Sequence, residues 1–166
     1  MPPAERPLES ATIDHVALSV GDLETMVAFY AALGFDEVSR ADFDPAPIRL
    51  ATVANQRGAS LELTVNGLSE PTPAADPIAA SRRRGPFHFA LRVELLADAV
   101  IAAVSAGARL VSQPTVNSRR DAQFAYIADP EGNLIELVAP LVAGAPRPTI
   151  ADAPSNASGG GAPGRR

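Results

Sequence analysis

Apolar and polar residues alternate in two rhythms along the chain. In Ile13–Val20 and again in Phe87–Val93 every second residue is apolar, the period of a half-buried β-strand. After each run the period lengthens to that of a helix. Leu23, Met26, Val27, Tyr30 and Leu33 form one stripe, with Asp22 placed to cap its start and Gly34 to end it. Leu96, Val100, Ala103 and Val104 form the other, ended by Gly107. Three strand-like runs follow each helix, at about 35–43, 47–55 and 60–66 and at about 109–117, 122–129 and 134–140. Asp129-Pro130-Glu131-Gly132-Asn133 has the residues of a tight turn into the last run.

The two series are copies. Both openings read His-x-Ala-Leu-x-Val, from His15 and from His88, and the closings are Leu61-Glu62-Leu63 and Ile135-Glu136-Leu137. The histidines are 73 positions apart and the glutamates 74, a register too constant for coincidence. The expected fold is therefore α+β: two tandem βαβββ modules, residues 12–66 and 87–140, forming a curved, cleft-bearing mixed sheet with helices on its outer face. A Pro-rich linker, 67–86, joins them. Residues 1–11 and the Pro/Gly/Ala-rich 141–166 read as disordered ends.

Strand parity places the repeated polar residues. Val16, Leu18 and Val20 share the face a helix must cover, which puts His15 on the other; the same count puts His88, Ala90 and Arg92 opposite Phe89, Leu91 and Val93. Glu62 and Glu136 likewise oppose their apolar neighbours. Two imidazoles and two carboxylates on the uncovered face make a set suited to one divalent ion, Ni, Co, Zn or Mn. Composition narrows the alternatives. There is no cysteine and no lysine, all 14 cations being arginine, so thiol, disulfide, iron–sulfur and Schiff-base chemistry are excluded. His15 and His88 are the only histidines. A net charge of −5 argues against nucleic acid, no stretch is long enough for a membrane span, and the N-terminus lacks a secretory signal, so a cytoplasmic protein is expected.

Ile13–Leu23 with Phe29-Tyr30 and Leu33-Gly34-Phe35, together with Asp129–Leu137, resembles the opening and closing signatures of the vicinal oxygen chelate superfamily over residues 12–140. That group includes glyoxalase I, methylmalonyl-CoA epimerase, extradiol dioxygenases and bleomycin-resistance proteins. The resemblance implies paired βαβββ modules around a metal-bearing cleft, with His15, Glu62, His88 and Glu136 as the ligand set. The filled set is similar to bacterial glyoxalase I, whereas the long linker is more like the epimerase group.

The implied activity is a metal-dependent lyase or isomerase that removes a proton next to a carbonyl through a metal-stabilised enediolate or enolate, with Glu136 as ligand and base and Glu62 as ligand and second base. The alternatives are an extradiol-type dioxygenase using Fe(II) with His15, His88 and Glu136, against which Glu62 argues, and a non-enzymatic drug- or ligand-binding protein. The expected partners are a small-molecule substrate and a second copy in a homodimer. Arg92 is a candidate for a substrate carboxylate. Arg82-Arg83-Arg84 reads better as a solvated run than as an anion site, Asp42 and Asp44 are weaker candidates for an additional acid, and Tyr30 reads as core.

Overall fold

The computed structural model describes residues 11–67, 76–82, 84–117, 119 and 121–141. The disorder expected of both ends falls, apart from Ala11 and Leu141, outside these residues. In order the elements are β1 (Val16–Ser19), α1 (Leu23–Ala32), β2 (Asp36–Phe43), β3 (Ile48–Ala54), β4 (Ser60–Val65), α2 (Pro77–Ser81), β5 (Phe89–Arg92), α3 (Leu96–Ser105), β6 (Arg109–Leu110), β7 (Thr115–Asn117), β8 (Ala122–Ala128) and β9 (Leu134–Pro140). Each module makes its own mixed sheet, ordered β1-β4-β3-β2 in the first and β5-β9-β8-β6 in the second, with β7 also on β8. In both, the opening strand pairs in parallel with the closing one, Ala17 beside Glu62 and Ala90 beside Glu136.

The helix stripes are buried as their spacing requires. Leu23, Met26, Phe29 and Tyr30 of α1 and Leu96, Val100 and Ala103 of α3 lie in one apolar cluster that runs through both modules. Asp22 caps α1, its carboxylate accepting from Thr25 N at 3.1 Å. No side chain caps α3. Gly34 and Gly107 end the helices at φ +86° and +112°, a conformation that side chains with a Cβ resist.

Two local expectations change. The single run at 109–117 is broken into β6 and β7, because Val111 N and Ser112 N both donate to Tyr126 O and Ser112 Oγ takes the Tyr126 N–H, a bulge just ahead of Pro114. The linker contains a one-turn helix, α2, with Asp76 accepting from Ile78 N and Ala79 N and Pro77 at its start.

Candidate functional site

Each histidine stands one residue ahead of its module's opening strand, and each glutamate lies within the closing strand beside it. The parallel pairing brings them together across the strands. His88 Nε2 lies 3.2 Å from Glu136 Oε2, and His15 Nε2 lies 4.0 Å from Glu62 Oε2. Two ligands of one ion with bonds of about 2.1 Å sit roughly 3.0–3.4 Å apart. The His88–Glu136 pair has that spacing, and the His15–Glu62 pair is slightly wider. His88 Nδ1 is buried without a hydrogen-bond partner, and it alone of the described buried side-chain polar atoms lacks one. The donor set itself, imidazole nitrogens beside carboxylate oxygens, is of the kind that suits a borderline divalent ion.

The four residues form two pairs, one per module. Among the described residues no group of three or more His, Cys, Asp or Glu is placed to hold a metal ion. The pairs also differ in setting. His15 and Glu62 keep 41% and 30% of their side-chain surface exposed, His88 and Glu136 only 21% and 17%. Asp14 Oδ2 sits 2.9 Å from His15 Nδ1, and that hydrogen bond is the largest cause of a raised His15 pKa; the Glu62 charge adds to it against some desolvation.

Register shows side chains that sequence reading did not single out. Tyr126 pairs with Glu136 across β8 and β9, and Phe124 pairs with Val138. Tyr126 meets the His88 ring edge-to-face at 5.4 Å and Phe124 at 5.9 Å, while Phe87 meets His88 at 4.4 Å. Burial, and secondarily the Glu136 charge, raises the Tyr126 pKa. The hint available in the sequence was the alternation of Phe124 and Tyr126 with buried Ala125 and Ile127, which puts both rings on the face of Glu136.

Arg92 is exposed on the edge strand β5, with no ion pair among the described residues, and lines a crevice of about 820 Å³ between the modules. Arg82, Arg84, Asp42 and Asp44 are exposed, as solvated positions would be; Arg83 lies outside the described residues. Tyr30 is core, its side chain fully buried and its hydroxyl donating to Asp129 Oδ2 at 2.9 Å.

A family-level profile described as the Glyoxalase/Bleomycin resistance protein/Dioxygenase superfamily matches residues 12–137. The chain belongs to this superfamily. Similar solved structures include a glyoxalase family protein from Bacillus cereus, 24% identical over 80% of this chain and 95% of that one, with a TM-score of 0.64. A mutant glyoxalase I from Zea mays is 25% identical over 75% of this chain at a TM-score of 0.61, and only 44% of the maize chain is covered. The trypanothione-dependent glyoxalase I of Leishmania major is 22% identical over 77% of this chain and 86% of that one, with a TM-score of 0.59. No curated protein matches the chain. Within the superfamily fold, no helix among the described residues is long and apolar enough to cross a membrane.

Proposed function

We propose that the protein is a divalent-metal-dependent lyase or isomerase of the glyoxalase or epimerase type, working as a homodimer. The observation that carries this reading is the repeated imidazole–carboxylate pair, 3.2 Å apart in one module and 4.0 Å in the other, on equivalent strands. On this reading each pair is half of a ligand set, since no group of three or more such residues among the described residues could hold an ion within one chain. The reading therefore completes the set between two copies, the His15–Glu62 pair of one meeting the His88–Glu136 pair of the other. The chemistry that such an ion (Ni, Co, Zn or Mn) supplies is polarisation of a substrate carbonyl, which acidifies the neighbouring carbon.

The chain's own residues do the rest. Glu136 takes the proton from that carbon and returns it, either at the adjoining carbon or on the opposite face. Glu62, on the other half of the set, is the second base. Phe87, Phe124 and Tyr126 form an apolar wall that keeps bulk water from the proton in transit. Arg92 holds an anionic substrate group by a charge-assisted hydrogen bond. The reading takes the protein as cytoplasmic, with a small oxygenated molecule as substrate; its net charge of −5 is unfavourable for nucleic acid.

Metal analysis of the purified protein, with its mass measured in solution, tests this directly. Stoichiometric Ni, Co, Zn or Mn in a dimer is expected, and replacing both histidines, His15→Ala with His88→Ala, should abolish metal binding. Fe(II) with oxygen consumption would instead assign a ring-cleaving dioxygenase, and a metal-free protein that binds drugs would assign a binding protein.

A further inference from the structure

The duplication extends to the junction between the modules, where its two halves have diverged. The β3–β4 turn (Asn55 to Ala59) and the β8–β9 turn (Asp129 to Asn133) are built alike. Asn55 Oδ1 accepts from Arg57 N and Ala59 N, both at 3.0 Å, and Asp129 Oδ1 accepts from Glu131 N at 3.1 Å and Asn133 N at 2.8 Å. Gly58 and Gly132 supply the positive φ, +82° and +95°. The third residue of each turn then crosses to the start of the other module's helix. Glu131 accepts from Gly21 N at 2.7 Å and Asp22 N at 2.8 Å, and Arg57 Nη2 donates to Glu94 Oε1 at 2.7 Å. Gly21 and Glu94 are themselves 73 positions apart, so the two contacts are reciprocal.

One side of this junction is closed. Tyr30 reaches Asp129, Glu131 sits on backbone N–H groups, and a Cβ on Gly107 would meet Pro130 at 3.9 Å. On the equivalent side Ala103 replaces Tyr30 and Gln56 replaces Pro130, and a Cβ on Gly34 would meet nothing within 4 Å. The Arg57–Glu94 pair there is 81% exposed at both ends. The crevice of about 820 Å³ lies on this open side, walled by Leu33, Leu91, Val93 and Pro140, with Arg92 at β5 and Asp36 at the start of β2.

We propose that this open junction is a binding site for a small amphipathic carboxylate, anchored by Arg92 and spanned by the Arg57–Glu94 pair. Its volume is that of a small-molecule site at a domain junction. Arg57 is already neutralised by Glu94, which leaves Arg92 as the cation without an ion-pair partner among the described lining residues. The apolar walls take the ligand's body, and Asp36 among the lining residues disfavours a second negative charge, so a monoanion is preferred to a phosphate dianion. Arg92 is four residues along β5 from His88, about 13 Å at strand rise. The proposal rests on the reading above only in making this ligand the substrate's anionic end; occupancy itself needs no metal.

Calorimetric titration of the full chain with octanoate, with and without a chelator, tests it. Saturable binding of one octanoate per chain is expected in both conditions. Octan-1-ol and inorganic phosphate should each bind at least 10-fold more weakly. Arg92→Gln should weaken octanoate at least 10-fold, and Arg92→Lys should restore part of the loss. Absence of saturation, equal affinity for octan-1-ol, or an unchanged Arg92→Gln variant would overturn the site. Octanoate binding by a chain that carries no metal as purified, and takes up none from added Ni, Co, Zn or Mn, would sink the metal-dependent reading and leave the site standing.

Discussion

The open faces of the two modules carry the same pair of polar residues in very different surroundings. By register, Thr52 and Thr64 flank Glu62 where Tyr126 and Val138 flank Glu136, and Leu50 stands where Phe124 stands. Module 1 is small, polar and wetter; module 2 is aromatic and more enclosed. On the proposed reading, duplication has kept the positions of the ligand set and released those beside it. In a drier site, charges interact more strongly and a carboxylate is a more effective base. Module 2 is therefore the half expected to carry the chemistry, and module 1 the half that completes the coordination.

The sharpest way to break that comparison is to remove one carboxylate at a time. Glu136→Gln should lower turnover by about 10²–10⁴-fold, the range of a lost general base. Glu62→Gln should act chiefly on metal retention. Turnover and bound metal, measured on both variants after dialysis, check the asymmetry; equal losses of turnover would make the two halves equivalent.

Stability should separate the modules next, through their matching turns. Asp129 is 3% exposed and accepts from Glu131 N, Asn133 N, Asn133 Nδ2 and Tyr30 Oη. Asp129→Ala strands several of these donors and should cost about 3 kcal/mol or more. Asn55→Ala removes two bonds at a half-exposed turn, so about 1 kcal/mol is expected. Denaturant unfolding of the two variants reads the difference, and it should narrow if the buried Tyr30–Asp129 contact contributes nothing.

The duplication, the helix stripes and the four repeated polar residues were legible in the sequence because each is a matter of spacing within one segment. What was not legible depends on which strand lies beside which. Tyr126 faces Glu136 only through the β8–β9 register. Glu131 reads as an ordinary turn residue until its carboxylate is found on the N–H groups of Gly21 and Asp22, more than a hundred positions away. Likewise the spacing places four polar residues on uncovered faces, but the angle between the modules decides whether the two pairs meet. That angle is set by long-range contacts, which a local pattern does not encode.

The histidines offer a subtler contrast. Hydrogen bonding to Asp14 holds the His15 pKa above the ordinary imidazole value of 6.5. A raised folded-state pKa adds stability that is fully present below about 6.5 and is lost as pH rises through the raised value. Protons compete with a metal for the same ring, so loading through His15 should weaken as pH falls through that value. Asp14→Ala removes the hydrogen bond, and the pH midpoint of metal loading should move lower. A midpoint that stays in place would disconnect His15 from loading.

The smallest expected effect comes from the helix starts. Asp22 caps α1 with bonds to Thr25 N and Thr25 Oγ1, whereas Leu95 holds the same place ahead of α3 with no side-chain bond to offer. Leu95 is 56% exposed, so little apolar burial is lost on replacing it. Leu95→Ser supplies an oxygen for the orphan N–H groups of the first turn and should stabilise the protein by about 0.5–1 kcal/mol. The melting temperature should rise by a few degrees without change in bound metal. A fall would mean that Leu95 contributes more by packing than a cap returns, and would place the difference between the two helix starts under selection for contact rather than for helix stability.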